Sequence, residues 1–160
     1  IQAILMAREE VCITTPYFIP DKSFLEAINI ATLSGVKVKI LLPGVSDSFI
    51  VNTTTRSYFQ GLLDAGVEIY TYSKGFVHAK TMVCDQTVSI IGTANLDNRS
   101  FDLNFEINAI IYNRDIAHDL RENFNKDLTY SKQIISSEWQ ERPFYLKFFE
   151  RVLHLFSSLM

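Results

Sequence analysis

The sequence has no excess of positive charge. Fifteen lysines and arginines stand against 18 acids among 160 residues, a formal net charge of −3. A domain whose main partner is bulk nucleic acid is normally basic, because it has to neutralise phosphates, so nucleic acid is not the expected partner. Cysteine is scarce. Cys12 and Cys84 lie inside apolar runs, the setting of two buried reduced thiols, and no zinc-ligand spacing is present. The three histidines, His78, His118 and His154, are far apart. No stretch reaches the roughly 18 to 20 apolar residues of a membrane-spanning helix, and nothing reads as a signal peptide. Internal repeats, low-complexity tracts and Gly/Ser linkers are missing too. The chain opens at Ile1, without a methionine and directly in a helical pattern, as a piece of a longer protein would.

What is present suits one compact domain, with 48% of its residues apolar. After the end of a helix at 2–10, VCITTP (11–16) reads as a buried strand stopped by proline. DKSFLEAINIATLSG (21–35) reads as a helix, with Ser23 and Glu26 spaced as a capping box and Gly35 as its stop. VKVKILLP (36–43) is a strand. Residues 47–65 form a helix capped at Ser46 or Asp47 and closed by Gly66, and VEIYTY (67–72) is the next strand. This alternation with helix-length crossovers predicts a parallel sheet covered on both faces. KTMVC (80–84) and TVSIIGT (87–93) then read as a hairpin about Asp85-Gln86, FEINAIIY (105–112) as one more strand, and 114–130 as a polar helix. The expected fold is an α/β/α sandwich with a mixed, mostly parallel sheet. It spans residues 1–140, with a C-terminal helix in 141–160.

Chemistry concentrates between residues 78 and 106. His78 and Lys80 are two apart, so on a strand they point the same way. An ammonium beside an imidazole suits a phosphodiester: the lysine neutralises non-bridging oxygens, and the histidine attacks phosphorus or moves a proton at an alcohol. Gly92 lets backbone approach closely, and Thr93 and Asn95 can donate hydrogen bonds to the same oxygens. Glu106 interrupts an apolar strand and needs a partner. A histidine N–H is the natural one, fixing the ring's tautomer. Asp85, in the turn, is expected first to bond turn backbone N–H groups and only second to serve catalysis. Taken singly, a histidine near a strand end is usually structural and a lysine beside it is usually solvated. The joint pattern is what departs from chance.

The pattern His78-x-Lys80-x4-Asp85-x6-Gly92-Thr93-x-Asn95 resembles the HKD motif of the phospholipase D superfamily. TPYFIPD (15–21), GVKVKILLPGVSD (35–47), SYFQGLLDAGVEIYTY (57–72) and GTANLDNRSFDLNFEIN (92–108) resemble the C-terminal catalytic half of bacterial cardiolipin synthases. Thr93 stands where that family often has serine, and the hydroxyl is kept. The resemblance implies a phosphohistidine mechanism without a metal or other cofactor. One histidine attacks the phosphodiester, and a second protonates the leaving alcohol and deprotonates the incoming one. It implies phosphatidylglycerol, or another phospholipid, as substrate and a bacterial membrane, on its cytoplasmic side or interface, as location. The catalytic set it implies is His78, Lys80, Asp85, Asn95 and Glu106, with Thr93 in support at the substrate and His78 leaning towards the acid/base role. Tyr17, Phe18 and Arg99 are substrate-binding candidates by position. A phospholipid hydrolase or a homodimeric nuclease is the alternative within the same superfamily. A non-catalytic domain serving as half of an interface is a third reading.

One HKD set is half a site, because a single imidazole cannot be nucleophile and acid at once. The partner is expected on a missing N-terminal half of the same chain, or else on a homodimer mate, and this piece alone is expected to be inactive or nearly so. RPFYLKFFERVLHLFSSLM (142–160) is patterned as an amphipathic helix. Apolar residues fall at 145, 148, 149, 152, 153 and 156, and Lys147, Glu150, Arg151, His154 and Ser158 share the other side. It either packs on this domain or its missing half, or lies at a membrane surface. Trp139 sits at headgroup level or caps a core.

Overall fold

The computed structural model describes residues 1–157. The chain runs through α1 (Gln2–Met6), β1 (Glu10–Thr14), β2 (Phe18–Ile19), α2 (Lys22–Leu33), β3 (Lys37–Pro43), α3 (Phe49–Ser57), α4 (Phe59–Asp64) and β4 (Glu68–Tyr72). It continues through β5 (Thr81–Cys84), β6 (Val88–Gly92), β7 (Leu96–Asp97), one turn of π-helix (Arg99–Leu103) and β8 (Asn108–Tyr112). It ends with α5 (Arg114–Leu128), β9 (Ser131–Gln133), α6 (Ser136–Gln140) and α7 (Phe144–His154). Seven strands form one mixed sheet in the order β8-β6-β5-β1-β3-β4-β9. It is parallel across β1, β3 and β4 and antiparallel at every other pairing. A second, two-stranded sheet pairs β2 with β7.

The alternation of β1 and β3 explains the layers. Val11 and Ile13 of β1, with Val38, Ile40 and Leu42 of β3, join the main core beneath α1, α2 and α4. Cys12 and Leu41 point the other way and meet Phe124 of α5. The sheet is therefore covered on both faces, as an α/β/α sandwich requires. Both cysteines are buried and free, and burial pushes each thiol up to about 12.

Local chemistry moves several expected boundaries. The α2 cap is Asp21, whose carboxylate accepts the Phe24 N–H at 2.7 Å; Ser23 already lies inside the helix and Glu26 pairs instead with Lys22. The single helix expected over 47–65 is two, α3 and α4, which meet at Tyr58, and α3 is capped by Ser48 rather than Ser46 or Asp47. Gly35 and Gly66 close α2 and α4 with φ of +86° and +88°, a region that favours glycine. Strand β8 begins at Asn108, not at 105, which leaves Glu106 in the loop before it.

Two carboxylates bind the sheet together at one edge. Glu10 receives Lys39 Nζ at 2.7 Å and Arg121 Nε at 2.6 Å, joining β1, β3 and α5. Asp85 and Gln86 both adopt φ of +50° in the tight turn that the Thr87 N–H closes on the Cys84 carbonyl at 3.1 Å. The Asp85 carboxylate accepts the backbone N–H groups of Arg8, Glu9 and Glu10 at 2.7, 2.9 and 3.0 Å, tying the hairpin to the start of β1.

These two sites make separable predictions. Asp85→Ala removes the acceptor of three N–H groups and should cost about 2 to 4 kcal/mol in urea unfolding. For Glu10, burial alone would raise the carboxyl, but the hydrogen bonds and charges of Lys39 and Arg121 outweigh it and hold it below its ordinary 4.5. Its contribution is therefore complete above the unfolded value and disappears as pH falls through the folded one. Glu10→Gln should cost about 2 kcal/mol at pH 7, and the gap from the wild-type protein should shrink below about pH 4.

Candidate active site

Antiparallel pairing collects the polar residues of three segments on one edge of the sheet. Lys80 leads into β5, Gly92 ends β6, and Asn108 begins β8. The Gly92 N–H donates to the Lys80 carbonyl at 3.1 Å, and Gly92 pairs with Asn108. A Cβ at position 92 would collide with the Asn108 side chain and the Ile107 carbonyl. The close approach that requires glycine is thus between two strands of the protein itself.

His78 lies outside the strand, in the segment entering β5, and is exposed. Lys80 Nζ is 3.2 Å from both ring nitrogens of His78 and donates to the His78 carbonyl at 2.9 Å. The Phe76 ring stands 5.5 Å from the imidazole. Burial lowers the Lys80 ammonium from its ordinary value, against the pull of the Glu106 and Asp97 carboxylates. Beside Lys80 opens a largely apolar cleft of about 250 Å³, lined also by Thr14, Met82, Ala94, Leu96 and Asn108.

Glu106 corrects an expectation. Its partners are not the histidine but the Thr93 hydroxyl, Ser100 Oγ at 3.1 Å and Asn104 Nδ2 at 3.2 Å. The Thr93 hydroxyl is the leading cause that holds the carboxyl below its ordinary value; Asn104, Ser100 and the Lys80 charge add to it, so Glu106 is an anion at neutral pH. Thr93 is fixed further by its N–H to the Ile107 carbonyl at 3.0 Å and by accepting the Ile107 N–H at 3.0 Å. Ser100 Oγ also accepts the Asn95 N–H at 3.1 Å, and Asp97 accepts the Ser100 N–H at 2.7 Å. Glu106 therefore braces the loop that carries Thr93 and Asn95. Asn95 Oδ1 is buried with no hydrogen-bond partner among the described residues.

The remaining candidates divide. Tyr17 follows β1 and is carried to this edge by the pairing of β2 with β7. Its hydroxyl donates to Asp47 Oδ2 at 2.6 Å, and that bond, with burial, pushes the phenol up to about 12. Arg99 is exposed on the π-helical turn, without an ion pair among the described residues. Phe18 does not belong to the site: it is 0% exposed and packs edge-on against Tyr58 in the main core. Asp85 stands at the far end of β5 from Lys80, and its hydrogen bonds are those of an anchor. Ser100, Asn104 and Asp97 were not assigned from sequence, although hydroxyl, carboxamide and carboxylate groups crowded within ten residues of Glu106 could have marked them. No group of three His, Cys, Asp or Glu able to hold a metal comes together among the described residues.

Residues 1–128 match the family model described as "Cardiolipin synthase, PLD-like domain". The chain is 46% identical over 154 residues to a cardiolipin synthase of Clostridium perfringens, covering 96% of this chain and 32% of that protein. It is 43% identical over 160 residues to cardiolipin synthase 2 of Staphylococcus epidermidis, covering all of this chain and 33% of that protein. It thus spans about a third of the length of these curated relatives. Among solved structures, it shares its fold with the phospholipase D family member Nuc of Salmonella typhimurium (TM-score 0.72, 19% identity, 83% of this chain and 86% of that one). It also shares it with the phosphatidylserine synthase of Haemophilus influenzae (TM-score 0.77, 16% identity, 99% and 43%). With the HKD spacing drawn together on one sheet edge and matches of this extent, the chain belongs to the phospholipase D-like domain family of cardiolipin synthases.

Proposed function

We propose that this domain is one half of a phosphatidyl transferase of cardiolipin synthase type, joining two phosphatidylglycerols into cardiolipin with release of glycerol. The observation that carries the reading is that strand pairing brings His78 and Lys80 to the end of the sheet where Thr93 and Asn95 leave β6, with Lys80 lining the cleft and Glu106 holding the loop. Lys80 supplies a positive charge to a non-bridging phosphate oxygen. The Asn95 amide adds a hydrogen bond that strengthens as charge builds on the phosphoryl oxygens, while the Thr93 hydroxyl, which donates to Glu106, holds the loop instead. Tyr17 and Arg99 flank the edge and suit the headgroup.

The reaction needs two histidines. In the first step a histidine nitrogen attacks phosphorus, an N–P bond forms, the P–O bond to glycerol breaks, and the other histidine gives glycerol its proton. In the second step that histidine takes a proton from a hydroxyl of the next phosphatidylglycerol, whose oxygen displaces the nitrogen and regenerates the enzyme. We assign His78 the acid/base part. Its exposure on an open edge is consistent with a nucleophile from the rest of the longer protein, or from a second copy, closing over it. The domain proper covers residues 1–140, the helix in 141–160 is an appendage to it, and the site of action is a bacterial membrane surface.

The test supplies phosphatidylglycerol to the full-length protein and identifies products. Cardiolipin and glycerol are expected; phosphatidic acid as the main product would instead establish the hydrolase reading. In that assay His78→Ala should reduce turnover by about 100- to 10,000-fold with an unchanged unfolding midpoint, and unaltered turnover would remove His78 from the mechanism. Chelator should leave turnover intact. Inhibition reversed by a divalent ion would replace this chemistry with a metal-assisted one.

A further inference from the structure

The C-terminal helix is docked the wrong way round. An amphipathic helix ordinarily buries its apolar stripe and leaves its charges in water. In α7 the reverse holds. Glu150, 6% exposed, is clamped by Arg142 through two bonds of 2.6 and 3.0 Å and by Arg56 of α3 at 3.3 Å. His154 Nδ1 is 3.0 Å from the Ser57 hydroxyl, and its ring packs on Tyr58. Both arginines face the buried Trp139 ring, Arg142 at 3.1 Å and Arg56 at 4.8 Å from its centroid. Trp139 itself packs on Phe59 in the core, so it is not a headgroup residue of an exposed belt.

With Glu150 and His154 held by these bonds, α7 and the turn after it leave Phe144, Tyr145, Phe148, Phe149, Leu155 and Phe156 facing outward, and Phe144, Phe149 and Leu155 are 77%, 61% and 78% exposed. No acid lies on that face. From Arg142 to Ser157 three cations, Arg142, Lys147 and Arg151, accompany one acid, the paired Glu150, in a chain whose net charge is −3. Ser158 lies outside the described residues. α7 has 11 residues, and no helix among the described residues is long and apolar enough to cross a membrane.

We infer that this aromatic face is a membrane-contact surface, seated in the headgroup layer of an anionic bilayer with α7 parallel to its plane. The choice of lipid as occupant rests on the transferase reading and on charge complementarity. A face of aromatic rings flanked by Lys147 and Arg151, the charge of Arg142 being taken up by Glu150, matches an anionic phospholipid surface, where rings enter the acyl boundary and cations meet the headgroups. The Glu150 clamp fixes the direction of the rings before any lipid arrives. The bilayer is thereby held at a constant orientation to the sheet edge that carries His78.

The experiment places a cysteine at Phe148 in the full-length protein, with other accessible cysteines replaced by serine; Cys12 and Cys84 are buried and stay unlabelled. An environment-sensitive thiol label should attach readily in detergent solution. In phosphatidylglycerol vesicles its emission should shift to the blue and be quenched by nitroxide-bearing lipid. A thiol that stays blocked in the folded protein, or a label that lipid-borne nitroxide does not quench, would overturn the inference and assign the face to protein. Phe148→Asp combined with Phe149→Asp should lower turnover on vesicle substrate by about tenfold or more, from the loss of two buried rings. It should leave turnover on detergent-dispersed phosphatidylglycerol unchanged. Equal loss on both would also count against the membrane contact. Label quenching without any transfer activity in the parent protein would sink the transferase reading and leave the surface standing.

Discussion

The register of β5, β6 and β8 is the constraint on which the site depends. In antiparallel strands, the entry to one lies beside the exit from the next. The three-residue connection Asp85-Gln86-Thr87 fixes that register, with Thr81 opposite Ile91 and Cys84 opposite Val88. Gly92 opposite Asn108 extends it to a third strand. His78 and Lys80 then enter where Thr93 and Asn95 leave, and Glu106 arrives at the same edge. A slip of one residue would send every side chain to the other face of the sheet. Asp85 guards against that slip from the far end, by seizing the backbone ahead of β1.

Charge in this domain is used in clusters rather than singly. Glu10, Glu106 and Glu150 each sit among several donors: two cations for Glu10, a hydroxyl pair and an amide for Glu106, two guanidinium groups for Glu150. Glu10 and Glu150 join segments distant in sequence, and Glu106 ties together one loop. The first fixes sheet to helix, the second fixes a loop, the third fixes the final helix. A carboxylate removed from water needs such company, and the need explains why each brings together parts of the chain that apolar packing alone would leave adjustable.

Much of this was legible in the residues. The period of two in VKVKILLP and the helix-length crossovers gave the parallel centre, and the spacing from His78 to Asn95 gave the hairpin and its polar edge. The parts that were not legible share one cause: hydrogen bonds whose choice of partner is tertiary. Ser23 has the spacing of a cap, yet Asp21 is nearer the open N–H groups. Glu106 was expected to seek an imidazole, but three neutral donors lie closer in the folded loop. The three residues of β9 have no pattern of their own and become a strand only because β4 offers an open edge. Phe18 looks like a substrate contact because it adjoins Tyr17, and alternation buries it instead. The helix after Pro143 carries an apolar and a polar side, but only the positions of Arg56 and Arg142 decide which side it turns to the protein.

The seat of Gly92 has a consequence for how the family can diversify. Because the backbones at the end of β6 and the start of β8 close on each other there, with no space for even a methyl group, the join beneath Lys80 is fixed in size. Variation in shape beside this join is left to the stretch between Ala94 and Phe105 with its π-helical turn, where insertion or substitution leaves the strand pairing untouched.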